Sequence, residues 1–312
     1  MRPLSILVLL LCLASPAPAQ DSARLRAQLT PGDVSRYTVK ARMELESPDR
    51  AELLDQTLRF RFTVAGVGPG GARIRAALEA IDVTYKPAGE PAAEVHWKED
   101  GPPIAGDAPL ERLYRALAST VLEFALAPDG TVTDVAGLDK VAPAGRGLTN
   151  PGRAMGVLST EGAPRIFCNM WTMDPADKPR RAGDRWSTSQ VIPSGDWQAE
   201  AKTDYTLDSI NGASVSISGK TTLTPVRAPA NPDDLGPKAV IAAQSILIDA
   251  RWDSAKSRLI SRITTGTVTW KATLLLKEPI EVTSTSKSRI EILLADQPKA
   301  EPKPDPKVEA KP

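Results

Sequence analysis

The sequence predicts a mainly β fold: curved antiparallel sheets in two pseudo-repeated units, forming a half-barrel or packed sheets, with one or two short helices in the connector. Three observations lead there. Apolar and polar residues alternate along many segments, helical periodicity is scarce, and the second half of the chain echoes the first. Clean alternation belongs to strands with one dry face and one wet face, the habit of antiparallel sheets.

The elements follow in order. Residues 1–19 read as a signal peptide: Arg2 is the charged start, Leu4 to Ala14 the apolar core, and Ala17-Pro18-Ala19 the cleavage site. The mature chain then starts at Gln20. Cys12 follows Leu11 inside the apolar core, which argues against lipid attachment there. Residues 20–140 form the first β-rich unit. Tyr37 to Leu45, Leu58 to Val64 and Leu122 to Leu126 alternate as strands, and Pro128-Asp129-Gly130 is a turn. Leu110, Leu113, Tyr114 and Leu117 predict a helix near 108–120, with Asp107 as its N-cap. Residues 141–182 are a Pro- and Gly-rich connector, with a second helix from Pro151 to about Glu161. Residues 183–295 form the second β-rich unit, with strands at Trp197 to Leu207, Ser214 to Ile217, Ile246 to Trp252, Leu259 to Ile263, Val268 to Leu274 and Ile280 to Leu294. The tail, 296–312, is Pro, Lys and Glu and is expected to be disordered.

Composition narrows the function. Removing the signal leaves 38 basic against 38 acidic residues. No electrostatic footprint for nucleic acid results. No later segment is apolar enough to span a bilayer, so no transmembrane anchor is expected, and the product is expected to be periplasmic or extracellular. One cysteine, Cys168, remains after cleavage, so no internal disulfide forms and the core depends on apolar burial.

Gly66-x-Gly68-x-x-Gly71 matches a dinucleotide-binding fingerprint, but the segment before it, Leu58 to Val64, carries Arg59 and Arg61 on alternate positions. The fingerprint needs a buried parallel strand there. The internal echo gives the other reading. PheThrVal from Phe62 lines up with TyrThrLeu from Tyr205, pairing Val64 with Leu207 and, across a gap of one or two residues, Gly71-Ala72 with Gly212-Ala213. The second copy turns at Asn211-Gly212, a hairpin signal. The Gly-rich stretch is therefore read as a turn between strands, leaving open whether Arg73 to Ile81 is strand throughout.

Gly32-Asp33-x-x-Arg36-Tyr37 opens the first run of strands and Gly183-Asp184-Arg185-Trp186 the second. With the signal peptide and the central helical stretch, this order resembles an uncharacterised family of exported β-rich bacterial proteins, a domain of unknown function, over roughly Leu29 to Leu294. The stretch Pro179 to Trp186 keeps that family's spacing but has Arg and Ala where an apolar residue is usual. The resemblance implies an envelope location and a fold class, and carries over no catalytic residue.

Other constellations fail on chemistry. His96 is the single histidine, which removes multi-His metal sites. Cys168 with His96 makes a formal nucleophile–base pair, but Cys168 lies in an apolar segment that suits an inert buried thiol. Ser284-x-x-Lys287 falls in a strand pattern without the companion motifs of penicillin-interacting enzymes. Glu79, Asp82, Glu94, Glu99, Asp184, Asp196, Asp204 and Asp249 are all available for a carboxylate pair, and nothing singles one out. Asp233-Asp234 reads as a turn, with weak calcium binding the alternative. Trp97, Trp171, Trp186, Trp197, Trp252 and Trp270 are core or cleft residues, with Trp252 and Trp270 on the apolar phase of their strands. No catalytic, cofactor-binding or metal residue is assigned, and no cofactor is expected. The function expected is an exported, noncatalytic envelope protein that binds an apolar or amphiphilic, lipid-like ligand or an envelope protein. The alternatives are a carboxylate-based hydrolase and an interaction scaffold.

Overall fold

The computed structural model describes residues 22–48, 50–194, 197–226, 238–274 and 280–295. The predicted signal, Asp196, the Asp233-Asp234 turn and the tail lie outside the described residues. Twelve strands form one open antiparallel sheet. They are β1 (Val34–Ser47), β2 (Arg50–Gly68), β3 (Gly71–Lys86), β4 (Ala93–Lys98), β5 (Leu122–Leu126), β6 (Val132–Ala136), β7 (Arg185–Ser194), β8 (Trp197–Asn211), β9 (Ser214–Val226), β10 (Lys238–Asp253), β11 (Arg258–Leu274) and β12 (Ile280–Leu294). Helices α1 (Pro109–Ala118), α2 (Leu138–Val141), α3 (Pro151–Met155) and α4 (Gly162–Trp171) occupy the middle of the chain.

The strand order is β6-β5-β3-β2-β1-β12-β11-β10-β9-β8-β7, with β4 also on β3. The chain runs outward from the centre to one edge, crosses through the helices to the opposite edge, and returns strand by strand. The two predicted units are thus halves of one sheet, not two packed sheets. They are joined by β1 against β12, from Tyr37↔Leu294 to Glu46↔Thr285.

The internal echo is visible in hydrogen bonds. Gly32 N–H donates to Val64 O (2.8 Å) and Val64 N–H to Asp33 O (3.0 Å). In the second half Gly183 N–H donates to Leu207 O (2.7 Å) and Leu207 N–H to Asp184 O (3.0 Å). Each aspartate accepts, at 2.8 Å, the backbone N–H three residues before it, Thr30 in one case and Arg181 in the other. Both glycines have φ near +90°, where a side chain is strained. A bulge follows in each copy, between Val64 and Gly66 and between Leu207 and Ser209. The hairpins close at Gly68↔Gly71 and Asn211↔Ser214. The two copies therefore align without the gap the sequence suggested, so Gly71 corresponds to Ser214 and Ile74 to Ile217. The glycine fingerprint is a hairpin turn, and Arg73 to Ile81 is strand throughout. Gly71 is needed there: its φ is +111° and a Cβ would collide with the Leu126 carbonyl oxygen.

Helix α1 forms where the periodicity places it and buries Leu110, Leu113, Tyr114 and Leu117. Asp107 is not its cap. Instead Glu111 accepts from Ala108 N–H at 2.9 Å. Helix α3 and the 3-10 turn Gly156–Leu158 replace the second predicted helix. Helix α4 was not expected. It lays Ile166, Phe167, Met170 and Trp171 on the sheet, where Phe167 and Trp171 meet the rings of Phe60, Phe62, Phe124 and Tyr37 at 4.8–6.1 Å. Gln56, at an inward position of β2, ties the helices to the sheet. It donates to Tyr114 Oη (2.7 Å) and Met155 O (3.2 Å), and accepts from Val157 N–H (3.3 Å).

Candidate functional site

The inner face of the sheet differs between its halves. Under β1–β3 and β5 large inward side chains such as Phe60, Phe62 and Phe124 are covered by the helices. Across β7–β12 the inward side chains are large at one end, as at Trp186, Tyr205 and Trp252, and small at the other, where Ala199, Ala201, Ser284, Ser286 and Ser288 lie and no described helix covers them. A groove of about 1870 Å³ results, walled by α4 and the segment after it on one side and by the inner face of β7–β12 on the other.

Strand register divides the inner face into rows. Val39, Ile292, Arg262, Ala250, Ile217 and Leu207 stand side by side in a buried row, of which Ile292 and Arg262 reach the groove. Farther out come Thr221, Thr203 and Thr188, with Thr203 and Thr221 hydroxyls 2.8 Å apart. Beyond them lie Val268, Leu223 and Ala201, then Trp270, Ala199 and Ile192. These outer apolar residues form a small cluster of their own, separate from the main core. Gln244 closes the ladder at the β10 irregularity, exchanging hydrogen bonds with both backbone groups of Leu223 (2.6 and 2.9 Å).

Arg262 is the exception in its row. A bulge between Arg251 and Trp252 pairs Trp252 with Leu259 but Arg251 with Ser261. The extra residue, Ile260, flips the strand phase, so Leu259 and Arg262 both face inward. Simple alternation from Leu259 puts Arg262 outside, so its inward position is not legible in the sequence. Arg262 is 5% exposed. Nη1 donates to Met173 Sδ and Nη2 to Tyr205 Oη, both at 3.1 Å, and buried Nε has no acceptor.

The sequence-predicted candidates are scattered. Strand phase puts Glu79, Asp82, Glu94, Asp204 and Asp249 on the outer face, opposite the groove, and Glu99, just past β4, pairs with Arg61 (3.0 Å). Glu79 lies among Arg36, Arg59 and Arg61 at 2.9–3.5 Å. Asp184 is used in its turn. Asp129 is the one carboxylate lining the groove among the described residues. Its backbone hydrogen bond from Thr131 holds its pKa below the usual range, opposite to the raised value a hydrolase acid needs.

His96 sits on β4's outer face beside Asp82 (3.0 Å) and Glu94 (3.5 Å). Cys168 lines the groove, so the two are not brought together. Burial raises the Cys168 thiol pKa, with Arg262 partly opposing, and a raised pKa leaves the thiol protonated. Ser284 faces the groove while Lys287 points out to Glu46 (3.2 Å). Among the tryptophans, Trp171, Trp186 and Trp252 are core and Trp97 packs against it. Trp270 lines the groove, and the Trp197 side chain lies outside the described residues. No cluster of His, Cys, Asp or Glu suited to a metal occurs among the described residues. No helix among them is long and apolar enough to cross a membrane.

No family model and no curated protein matches the chain. Among solved structures, lipovitellin, described for its lipid–protein interactions, aligns over 88% of this chain and 26% of its own, at 12% identity and a TM-score of 0.47. The chain thus spans about a quarter of that protein. DynF from the dynemicin pathway of Micromonospora chersina aligns over 96% of this chain and 94% of its own, at 8% identity and a TM-score of 0.23. An outer membrane channel from Pseudomonas putida F1 aligns over 86% of this chain and 98% of its own, at 11% identity and a TM-score of 0.18. Likeness this distant carries no function to this chain.

Proposed function

We propose that the chain is an exported, noncatalytic binding protein of the bacterial envelope, and that its sheet works as a half-barrel holding the apolar part of an amphiphilic ligand. The observation that carries this is the uncovered half of the inner face, where Val268, Leu223, Ala201, Ile192 and Trp270 line a groove wide enough for a guest. Such concave, mainly apolar surfaces with a few polar groups are the usual form of small-molecule sites. Small residues supply the room, since Ala199, Ala201, Ser284, Ser286 and Ser288 stand where the other half carries aromatic rings. Export rests on the signal pattern at 1–19, and membership in the exported β-rich family on the paired Gly-Asp strand starts.

Nile red, a neutral apolar dye, tests the reading. Its emission should rise to saturation at one dye per chain. Ile192→Glu, on the edge strand β7, should weaken binding about tenfold by placing a charge in the apolar wall. Absence of saturable binding by the wild-type chain would remove the proposal.

A further inference from the structure

Arg262 is a buried charge in the groove with no counter-charge among the described residues. Arg262 stands in a row whose other members are apolar, yet its guanidinium is 5% exposed and meets only uncharged partners, the Met173 thioether and the Tyr205 hydroxyl. Nε is buried without an acceptor. No carboxylate pairs with Arg262 among the described residues. Asp129 turns its carboxylate to Thr131 N–H instead (2.9 Å), and the raised pKa of Cys168 keeps that thiol from serving as a counter-anion. An ionised group buried without a counter-charge is costly, so it marks a place built for something that arrives. Both partners of Arg262 also line the groove, which aims the guanidinium at the guest volume. Arg165, on the α4 wall, brings a second cation to the groove, with its Nε on the Glu161 carbonyl (3.0 Å) and the Glu161 charge nearby.

We infer that the groove's ligand is an acidic amphiphile, and that its carboxylate or phosphate pairs with Arg262 while its alkyl chain runs outward to Trp270. The forked guanidinium suits either anion. Arg262 and Trp270 are eight residues apart along β11, about 26 Å at 3.3 Å per residue, which calls for a long alkyl chain. This inference rests on the groove-binding reading and narrows it to one headgroup class.

Calorimetry with three 16-carbon compounds below their micelle concentrations separates the two ideas. Hexadecanoate or hexadecyl phosphate should bind roughly 10–100-fold tighter than hexadecanol, the advantage expected of charge-assisted hydrogen bonds. The tighter of the two acids identifies the headgroup, fatty acid or phosphate ester. Arg262→Met removes the charge at similar bulk, a change that buried ionic sites tolerate. It should erase the preference, so that within the variant the two acids bind no more tightly than hexadecanol. Equal binding of all three by the wild-type chain overturns the inference and leaves the groove reading standing. A preference that survives Arg262→Met overturns it as well. Binding of none overturns both.

Discussion

Arg262 and Gln56 are both polar residues at inward strand positions, and they differ in how far the protein satisfies them. Gln56 uses its amide nitrogen and oxygen on three partners, all from the helical segment. Next to it Gly156 has φ +57°, and a Cβ there would lie 2.7 Å from Gln56 Oε1. Gln56→Leu fills the same space but leaves Val157 N–H and Met155 O without partners. It should destabilise the fold by about 1–3 kcal/mol, read as a lower urea midpoint at unchanged slope. Tyr37 and Tyr114 carry a pH dependence. Burial pushes both phenols well above their ordinary pKa of 10.0, with Arg258 partly opposing at Tyr37 and the Gln56 hydrogen bond at Tyr114. The unfolded chain ionises first, so their contribution is complete below about pH 10 and is lost as the pH rises above it. Tyr37→Phe, which gives up the bond to Leu259 O, should move the alkaline unfolding midpoint to higher pH.

The repeated strand starts behave as one device used twice. Asp33 and Asp184 each cap a turn through the same backbone bond, so Asp33→Ala and Asp184→Ala should each cost about 0.5–1.5 kcal/mol. They lie in opposite halves of the sheet, so the double variant should show the sum to within about 0.5 kcal/mol, measured by denaturant unfolding. This device was legible because Gly-Asp before an alternating run is a short, local signal. So were β1 and β2, whose inward residues alternate with arginines, and α1, whose apolar spacing matches its buried face. Helix α4 is hard to read although Ile166, Phe167, Met170 and Trp171 have helical spacing, because Gly162 and Pro164 at its start look like connector. Strand β11 looks like two strands in the sequence because Thr264, Thr265, Gly266 and Thr267 interrupt the apolar pattern in its middle. Bulges are the least legible of all, and one of them decides which way Arg262 points.

Pairing of β1 with β12 joins segments about as far apart as the chain allows, and no local pattern announces it. It turns two expected units into one sheet, and the helices then fill only half of its inner face. The groove is a consequence of that asymmetry: bulky rings under α4 on one side, and on the other a face with small residues such as Ala199, Ala201, Ser284, Ser286 and Ser288 that no described helix covers. An empty space has no residues of its own, so the sequence pointed to a concave face without locating it. The direct test is fluorescence of the chain with 16-bromohexadecanoic acid, whose terminal bromine quenches nearby indoles. Bromine at the chain end should quench a saturable part of the tryptophan emission, and Trp270→Phe should abolish that part. Quenching that is absent, or that persists unchanged in Trp270→Phe, would contradict a ligand chain lying in the groove.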